Sequence, residues 1–391
     1  MAKKEKNEFS AARKKRRFKI AMLRTKKFIG AVLALAIVCV AVWLFVKEDV
    51  AGIIGDRIAA GSASGASMPV EIAGTSVKET FTVGDNVGVL TDGNVALYAK
   101  NGKQLLSYTH GMTDPIVKAA GRRFLLYDRG GTKLVVRMRD KVLFEKEFDY
   151  KIISANISSD GWITVVTAAQ RYASQLHVWN SAYDEEIFTW SSSGEYIICS
   201  AADSGSKTVA AATLTANASG QMVTMVHIFT TEAAVELGKK DFSGEAAVSL
   251  EYNSSGNVKI ICDSMAAVID RSGNVLGRFD FDRKLISCVN AHGTSGMALV
   301  FDRYTEARAT DVTFIGSRGE QVKTVSVSGK FLCANGNSSH AAVYCDGTAT
   351  VFDYSGNKTA ELTSEQDALL ILLTKESVFA VTRDEICEVK R

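Results

Sequence analysis

Two different patterns of hydrophobic residues divide the chain. Residues 28–46 read FIGAVLALAIVCVAVWLFV, a stretch of 19 residues without a charged side chain. From about Val70 onward, apolar runs of four to eight residues alternate with Asp-Gly, Asn-Gly and Ser-Gly pairs. The first pattern is typical of a membrane-spanning helix, and the second is typical of short strands joined by tight turns. The sequence therefore predicts one transmembrane helix followed by an all-β domain.

Three segments of the β region share one internal spacing. They are Thr91–Leu106 (TDGNVALYAKNGKQLL), Cys262–Gly277 (CDSMAAVIDRSGNVLG) and Cys345–Ala360 (CDGTATVFDYSGNKTA). In each segment an aspartate is followed ten residues later by a glycine, in the pairs Asp92 and Gly102, Asp263 and Gly273, and Asp346 and Gly356. Asp and Gly both tolerate the positive φ angles of tight turns. We therefore expect one strand between two turns, with a positive φ at both residues.

The distance between the repeats predicts the fold. Asp92 and Asp263 are 171 residues apart, and Asp263 and Asp346 are 83 apart. These distances equal four and two intervals in the low forties, which is about the length of one four-stranded propeller blade. Weaker copies begin near Gly121, Ile157, Glu195 and Leu285, which gives seven units between Thr80 and Thr363. A pair of β-sandwiches would not preserve the spacing, and β-helix repeats are shorter.

The end of the chain supplies an incomplete blade. Ala368–Thr374, Ser377–Thr382 and Glu385–Lys390 are three predicted strands, after which the sequence stops. A propeller must close its ring because an open ring exposes strand edges. The segment Val70–Thr75 could supply the missing outer strand of a composite blade. We therefore expect eight blades, with seven as the alternative if two weak units merge.

The flanks of the apolar stretch predict how it is oriented in a membrane. Residues 1–27 carry 12 basic and two acidic side chains, whereas the rest of the chain carries 34 basic and 41 acidic. Basic residues favour the cytoplasmic side. We expect a cytoplasmic tail at residues 1–27, a transmembrane helix at 28–46, a linker at 47–69 and an extracytoplasmic β-propeller at 70–391. The expected partner of residues 28–46 is the lipid bilayer.

Other interpretations of the N-terminal region fit less well. A cleaved signal peptide has a shorter apolar core and a small-residue cleavage site, but Lys47-Glu48-Asp49 follows this stretch. A buried helix of a soluble domain would carry a polar stripe. The basic run Arg13–Arg17 could bind nucleic acid, but so close to a membrane helix it is better explained by topology and anionic lipid. No nucleic-acid partner is predicted.

The repeat rhythm resembles known propeller repeats. It is clearest as DGTATVFDYSGNK from Asp346 and is similar to WD40-like and quinoprotein-like repeats. The overall plan looks like an uncharacterised family of membrane-anchored propeller proteins of Gram-positive bacteria. The Trp-Asp dipeptide of WD40 blades is absent, and the three tryptophans after the apolar stretch (Trp162, Trp179 and Trp190) fall within one unit. The resemblance therefore implies the fold and does not imply a quinone cofactor.

Candidate chemistry is sparse. The histidines His110, His177, His227, His292 and His340 show no metal-ligand spacing, and there is no nucleophile elbow, Walker loop or dinucleotide fingerprint. Asp280 and Asp282 are interpreted as residues of a solvated outer strand. The group Arg122, Arg123, Asp128 and Arg129 is explained equally well by an acidic ligand or by a salt-linked blade edge. No catalytic, cofactor-binding or metal-binding residue is predicted.

Six cysteines follow the apolar stretch: Cys199, Cys262, Cys288, Cys333, Cys345 and Cys387. An even number in an exported domain suggests disulfides, but nearly all lie in apolar strands and none has CxxC spacing. Folding the hairpin around Asn337 places Cys333 opposite about Ala342, so Cys333 and Cys345 would not meet. Buried free thiols are expected.

Two classes of function remain. The first is a binding or scaffold module that presents loops to an envelope protein, peptide or glycan. The alternative is a propeller-type lyase or hydrolase with a site in the central channel. The predicted inner strands FLLYD, ITVVT, YIIC, LISCV, FLCA and LLILL are mostly apolar, which favours the binding module. A signalling receptor is disfavoured because 27 residues are too few for a folded output domain.

Overall fold

The computed structural model describes residues 38–39, 55, 58, 68–72, 76–282, 284, 286–290, 296–303, 309–364, 368–375 and 377–389. The chain divides into two compact units, Met1–Ala63 and Ser64–Arg391. Nearly all of the predicted membrane span, residues 28–46, lies outside the described residues. Within the described part, no helix combines the length and apolar character that crossing a membrane requires.

The second unit is an eight-bladed β-propeller, which confirms the predicted fold class. Each blade is a four-stranded antiparallel sheet. The strands of the first four blades are β2 Val77–Val83, β3 Asn86–Thr91, β4 Asn94–Tyr98 and β5 Gln104–Thr109; β6 Pro115–Ala120, β7 Arg123–Asp128, β8 Lys133–Arg137 and β9 Val142–Glu147; β10 Ile152–Ile157, β11 Ile163–Thr167, β12 Ser174–Trp179 and β13 Glu186–Ser192; β14 Tyr196–Asp203, β15 Thr208–Ala216, β16 Met222–Thr230 and β17 Glu236–Ser243.

The remaining blades follow the same plan. Their strands are β18 Ala247–Tyr252, β19 Val258–Cys262, β20 Met265–Ile269 and β21 Val275–Asp280; β22 Cys288–Asn290, β23 Gly296–Arg303, β24 Ala309–Gly316 and β25 Gln321–Ser328; β26 Phe331–Gly336, β27 His340–Cys345, β28 Thr348–Asp353 and β29 Lys358–Thr363; β30 Leu370–Leu373, β31 Val378–Val381, β32 Glu385–Val389 and β1 Val70–Glu71.

The eighth blade closes the ring as expected. Its order is β1-β32-β31-β30, with Val70 opposite Ile386. The amide of Ile72 also donates to the carbonyl of Asp384 at 2.8 Å. A segment from before the first blade thus supplies the outer strand of the last one, which covers the strand edge that the chain terminus would otherwise expose.

The hydrophobic core lies between the blades. Eight apolar clusters fill the eight seams between neighbouring sheets. Side chains alternate along a strand, so Phe124 and Leu126 pack toward the first blade while Leu125 and Tyr127 pack toward the third. Each such side chain contributes about 1.5–3 kcal/mol by leaving water. The second strand of a blade is therefore buried on both faces.

This burial corrects the assignment of two of the six predicted inner strands, whereas YIIC, LISCV, FLCA and LLILL overlap the first strands β14, β22, β26 and β30, as predicted. FLLYD lies in β7 and ITVVT in β11, and both are second strands. They were mistaken for inner strands because a sheet buried on both faces has an unbroken apolar sequence in its interior. The true inner strands of the second and third blades, β6 and β10, are more polar and more exposed.

The repeated aspartates have a different role from the one predicted. Gly102, Gly273 and Gly356 adopt the expected positive φ, but among the three aspartates only Asp346 does. The aspartates instead bind the chain that enters the blade. The carboxylate of Asp346 accepts the amide of Lys330 at 2.9 Å, and that of Asp263 accepts the amide of Ala246 at 2.9 Å.

The described cysteines are free thiols, as expected. The predicted register of Cys333 is wrong, because the turn spans Asn337–His340 and is not centred on Asn337, so Cys333 lies opposite Tyr344 and not opposite Ala342. Cys333 and Cys345 nevertheless face different seams. They belong to opposite faces of one sheet, so a disulfide between them is excluded in this fold.

Candidate binding surface

One end of the propeller carries a group of exposed apolar side chains. We call this end, where the first strand of each blade begins, the upper face. Tyr150, Tyr172, Tyr196, Met222 and Val248 lie there, on three consecutive blades, and together form what we call the upper apolar surface. Tyr196 is 63% exposed and Val248 is 60% exposed. Exposed apolar groups of this size on adjacent elements are characteristic of interaction sites.

Hydrogen bonds between blades bring these side chains together. The amide of Ile197 donates to the Ser174 hydroxyl at 2.8 Å, which places the start of β14 beside the loop that carries Tyr172. The amide of Ala247 donates to the Thr224 hydroxyl at 3.1 Å, which places Val248 beside the strand that begins at Met222. The same hydrogen bond, from an amide of a first strand to a Ser or Thr hydroxyl of the preceding blade, is used at two successive seams between the third blade and the fifth.

The lower face is different. Its exposed apolar residues, Val142, Val235, Leu237, Val275 and Val322, are aliphatic and lie at or near the start of a fourth strand, at the rim of separate blades. All the exposed tyrosines among the described residues lie on the upper face. Tyrosine and methionine are enriched at protein interfaces, so the upper apolar surface is the better candidate for binding.

A charged network lies directly beneath Tyr196. His227 in β16 is only 8% exposed. Its Nε2 is 2.9 Å from Oε2 of Glu195, the residue before Tyr196, and its Nδ1 is 2.7 Å from Oε1 of Glu236 in β17. A neutral imidazole has one N–H group and cannot donate to two carboxylates. With both carboxylates ionised, the arrangement requires an imidazolium.

The third blade contains a simpler version of this network. His177 occupies the equivalent place in β12, and its Nδ1 is 2.6 Å from Oε1 of Glu186. Its Nε2 faces the hydroxyl of Thr167 at 3.4 Å in place of a second carboxylate. A neutral imidazole satisfies these contacts, so the two histidines differ in their charge requirement.

Hydrogen bonding favours the ionised form of one carboxylate in each network, Glu195 and Glu186. Partial burial is the largest single influence on Glu195 and opposes ionisation, but hydrogen bonds from Thr213 and His227 outweigh it and lower the pKa of Glu195. Burial likewise opposes ionisation of Glu186, and hydrogen bonds from His177 and Thr189 lower its pKa.

Neither network forms a recognisable reaction centre. Thr167, His177 and Glu186 follow the order of a hydroxyl–imidazole–carboxylate triad, but the Thr167 side chain is buried inside the sheet at 2% exposure. In the described part of the chain, no three His, Cys, Asp or Glu side chains are arranged to hold a metal ion. The networks tie strands and seams together.

Polar residues of the inner strands also connect blades. Asn156 in β10 donates to the carbonyl of Ser200 at 3.2 Å, and the Asn335 side chain in β26 accepts the amide of Leu373 at 3.2 Å. In the fifth blade Glu251 lies 3.6 Å from the buried ammonium of Lys259. Desolvation lowers the pKa of Lys259. The inner strands are thus less apolar than expected, and these groups serve neighbouring strands.

The charged groups noted in the sequence do not converge. Arg123 donates to the carbonyl of Ser181 at the lower end, whereas Arg129 pairs with Asp114 at 2.8 Å at the upper end. Asp128 accepts the amides of Thr113 and Asp114. These contacts favour the blade-edge interpretation over a shared site for an acidic ligand. Asp280 and Asp282 are exposed, as expected for a solvated outer strand.

The histidine networks were missed in the sequence, although one signal was present. His177 and Glu186 are nine residues apart, and so are His227 and Glu236. In both pairs an aromatic residue, Trp179 or Phe229, stands two residues after the histidine. Comparing one repeat with the next, residue by residue, would have revealed this pattern.

Comparison with known proteins supports the fold. The profile of a family described as a family of unknown function, DUF5711, matches residues 66–390. No curated protein matches the sequence. The chain is similar to the C-terminal WD40 domain of Sif2, with a TM-score of 0.57, 12% identity, and coverage of 84% of this chain and 99% of that one.

Two further structures are similar. A eukaryotic initiation factor gives a TM-score of 0.52 and 13% identity, with coverage of 84% of this chain and 88% of that one. BamB from Moraxella catarrhalis gives 0.48 and 11%, with coverage of 82% and 99%. At these identities the Sif2 domain and the initiation factor show the propeller fold alone.

Proposed function

The chain belongs to the DUF5711 family, whose function is unknown, and we propose that it is a membrane-tethered binding module of the cell envelope. In this proposal its upper apolar surface docks a partner protein on the outer side of the membrane. The observation that carries the proposal is the exposed cluster of three tyrosines, a methionine and a valine across three blades. Rigid blades hold these side chains in place, so little conformational freedom is lost on docking.

Site-specific crosslinking in cells tests the proposal. A photoreactive amino acid at Tyr196 of the full chain should crosslink to a partner, whereas the same group at Val275 on the lower face should not. The triple variant Tyr172→Ser, Tyr196→Ser and Val248→Ser should then reduce co-purification of that partner at least tenfold, because tyrosine hot spots are each worth about 2 kcal/mol or more.

A matched variant controls for nonspecific effects. Val142→Ser, Val275→Ser and Val322→Ser remove three apolar side chains that are also exposed, but on the lower face. This variant should co-purify the partner as the wild type does. Equal loss in both triple variants, with both still folded by circular dichroism, would place binding elsewhere.

A further inference from the structure

The residue before Tyr196 of the upper apolar surface belongs to a histidine network that differs from its counterpart in the third blade. The equivalent histidine of the third blade, His177, is satisfied by one carboxylate and one hydroxyl. His227 instead has a carboxylate at each ring nitrogen. The second carboxylate, Glu195, belongs to the loop that enters the fourth blade immediately before Tyr196.

We propose that His227 is a proton-responsive bridge that holds the upper apolar surface in its binding shape while the imidazole is protonated. This inference rests on the proposed function, because it assigns a regulation to the same surface. It adds that binding needs the imidazolium form and weakens when the imidazole loses its proton.

The chemistry of the bridge gives the direction of the effect. An unperturbed imidazole loses its proton between about pH 5 and 8. After deprotonation one ring nitrogen carries a lone pair that faces a carboxylate, so one charge-assisted hydrogen bond is replaced by repulsion. Either Glu195 or Glu236 must then move or recruit water. Glu195 is the residue whose movement would reach the binding surface.

The surroundings of His227 contain few competing charges. Lys239 lies opposite His227 in β17, and Asp241 lies two residues further along the same strand. On the other side, β15 places Ala211 opposite His227, and the Thr213 hydroxyl donates to Glu195 at 2.5 Å. From the third blade the ring of Trp190 packs against His227, with 5.0 Å between the centroids. Glu195, Glu236, Lys239 and Asp241 are thus the charged groups that face the imidazole.

The bridge has a lower pH limit as well. The carboxylates must be ionised, and hydrogen bonds keep the pKa of Glu195 low even though burial opposes them. A group with a lowered pKa stabilises the fold above its unfolded pKa, and this stabilisation is lost as the pH falls through the folded pKa. The bridge therefore needs an ionised Glu195 as well as a protonated imidazole, and acid that protonates Glu195 breaks it.

Hydrogen–deuterium exchange on the full chain in detergent tests the bridge without a partner. After correction for the intrinsic exchange rate, residues 196–200 should exchange roughly tenfold more slowly at pH 6 than at pH 8.5, the effect of losing one charge-assisted hydrogen bond. His227→Gln should remove this difference. His177→Gln should keep it, because that histidine does not contact Glu195.

A second variant keeps the test valid if His227→Gln does not fold. In Glu195→Gln the side-chain amide can donate to a neutral Nε2 while Nδ1–H donates to Glu236, so exchange should be slow at both pH values. Equal protection of the wild type at pH 6 and pH 8.5 would overturn the proposal. So would a pH difference that persists in both variants.

Crosslinking separates this inference from the proposed function. If the bridge operates, crosslinking at Tyr196 should fall as the pH rises in the wild type and stay constant in Glu195→Gln. If the surface variants leave partner binding intact, the proposed function is wrong whatever the exchange profile shows. A normal pH-dependent exchange profile with pH-independent crosslinking would show that the bridge moves the loop but does not regulate binding.

Discussion

At the scale of single residues, the seams between blades impose close backbone contacts. Gly277 in β21 lies against the turn of the sixth blade, and a Cβ atom there would fall 2.7 Å from the carbonyl carbon of Gly319 and even closer to the carbonyl oxygen of Arg318. Real Cβ atoms do not approach backbone atoms so closely. The absence of a side chain at this position therefore allows the fifth and sixth blades to pack.

Gly277→Ala should lower the free energy of unfolding by about 1–3 kcal/mol, since the added methyl group must push apart two backbone segments. Urea denaturation followed by circular dichroism measures this change. Gly93→Ala is the matched control, because no atom lies within 4 Å of its Cβ position and its φ is not positive. A similar loss in both variants would mean that backbone conformation and not the seam contact sets the cost.

Sequence information at this scale was uneven. Positive φ angles were predicted correctly where a single turn contains all the residues involved, as at Gly102, Gly273 and Gly356. The contact of His227 with Glu195 was not predictable, because the two residues are 32 positions apart. They meet only when β16 folds back beside the loop that precedes β14 in the same blade. A single sequence contains no signal for that distance.

At the scale of strands and turns, burial decides which predictions succeed. Strands were placed well wherever turn residues bound them, as for β20 and β28. The position of β7 and β11 within their blades was misjudged, because these apolar strands are second strands buried on both faces and not inner strands. The register of β26 was also wrong, because the hairpin turn is centred between Ser338 and Ser339 and not on Asn337.

The short strand β1 gives a sharp prediction at this scale. The bond from Ile72 to Asp384 and the pairing of Val70 with Ile386 show that alternate residues of β1 direct their main chain toward β32. Val70→Pro removes an amide that faces β32, together with a side chain packed in the closing seam. We expect a loss of about 2–3 kcal/mol in the free energy of unfolding, measured with urea.

Glu71→Pro provides the control for this prediction. Glu71 follows Val70, so its amide points away from β32 toward solvent, where edge strands tolerate proline. Its cost should be below about 1 kcal/mol. If both proline variants were equally stable, β1 would not contribute to closing the ring.

At the scale of the whole molecule, the requirement for a closed ring made the fold predictable. The repeat distance fixed the number of complete units, and the three strands after Ala368 could only form a blade by recruiting a segment from the other end of the propeller. The binding surface was not predictable in this way. Tyr150 and Tyr172 lie outside the strands of the third blade and Tyr196 begins β14 of the fourth, and only the ring places the three tyrosines at the same end of neighbouring blades.

The position of the propeller relative to a membrane leads to the last prediction. Residues 1–27 carry 12 basic side chains and precede the uncharged residues 28–46. Moving such a tail across a bilayer is disfavoured, so the propeller should lie outside. Protease added to intact cells with a permeable wall should therefore degrade an epitope tag after Arg391 and spare a tag before Met1. A truncated variant that lacks residues 1–46 should remain inside, with its C-terminal tag protected. Protection of both tags in the full chain would contradict an extracytoplasmic propeller and, with it, the proposed role at the cell envelope.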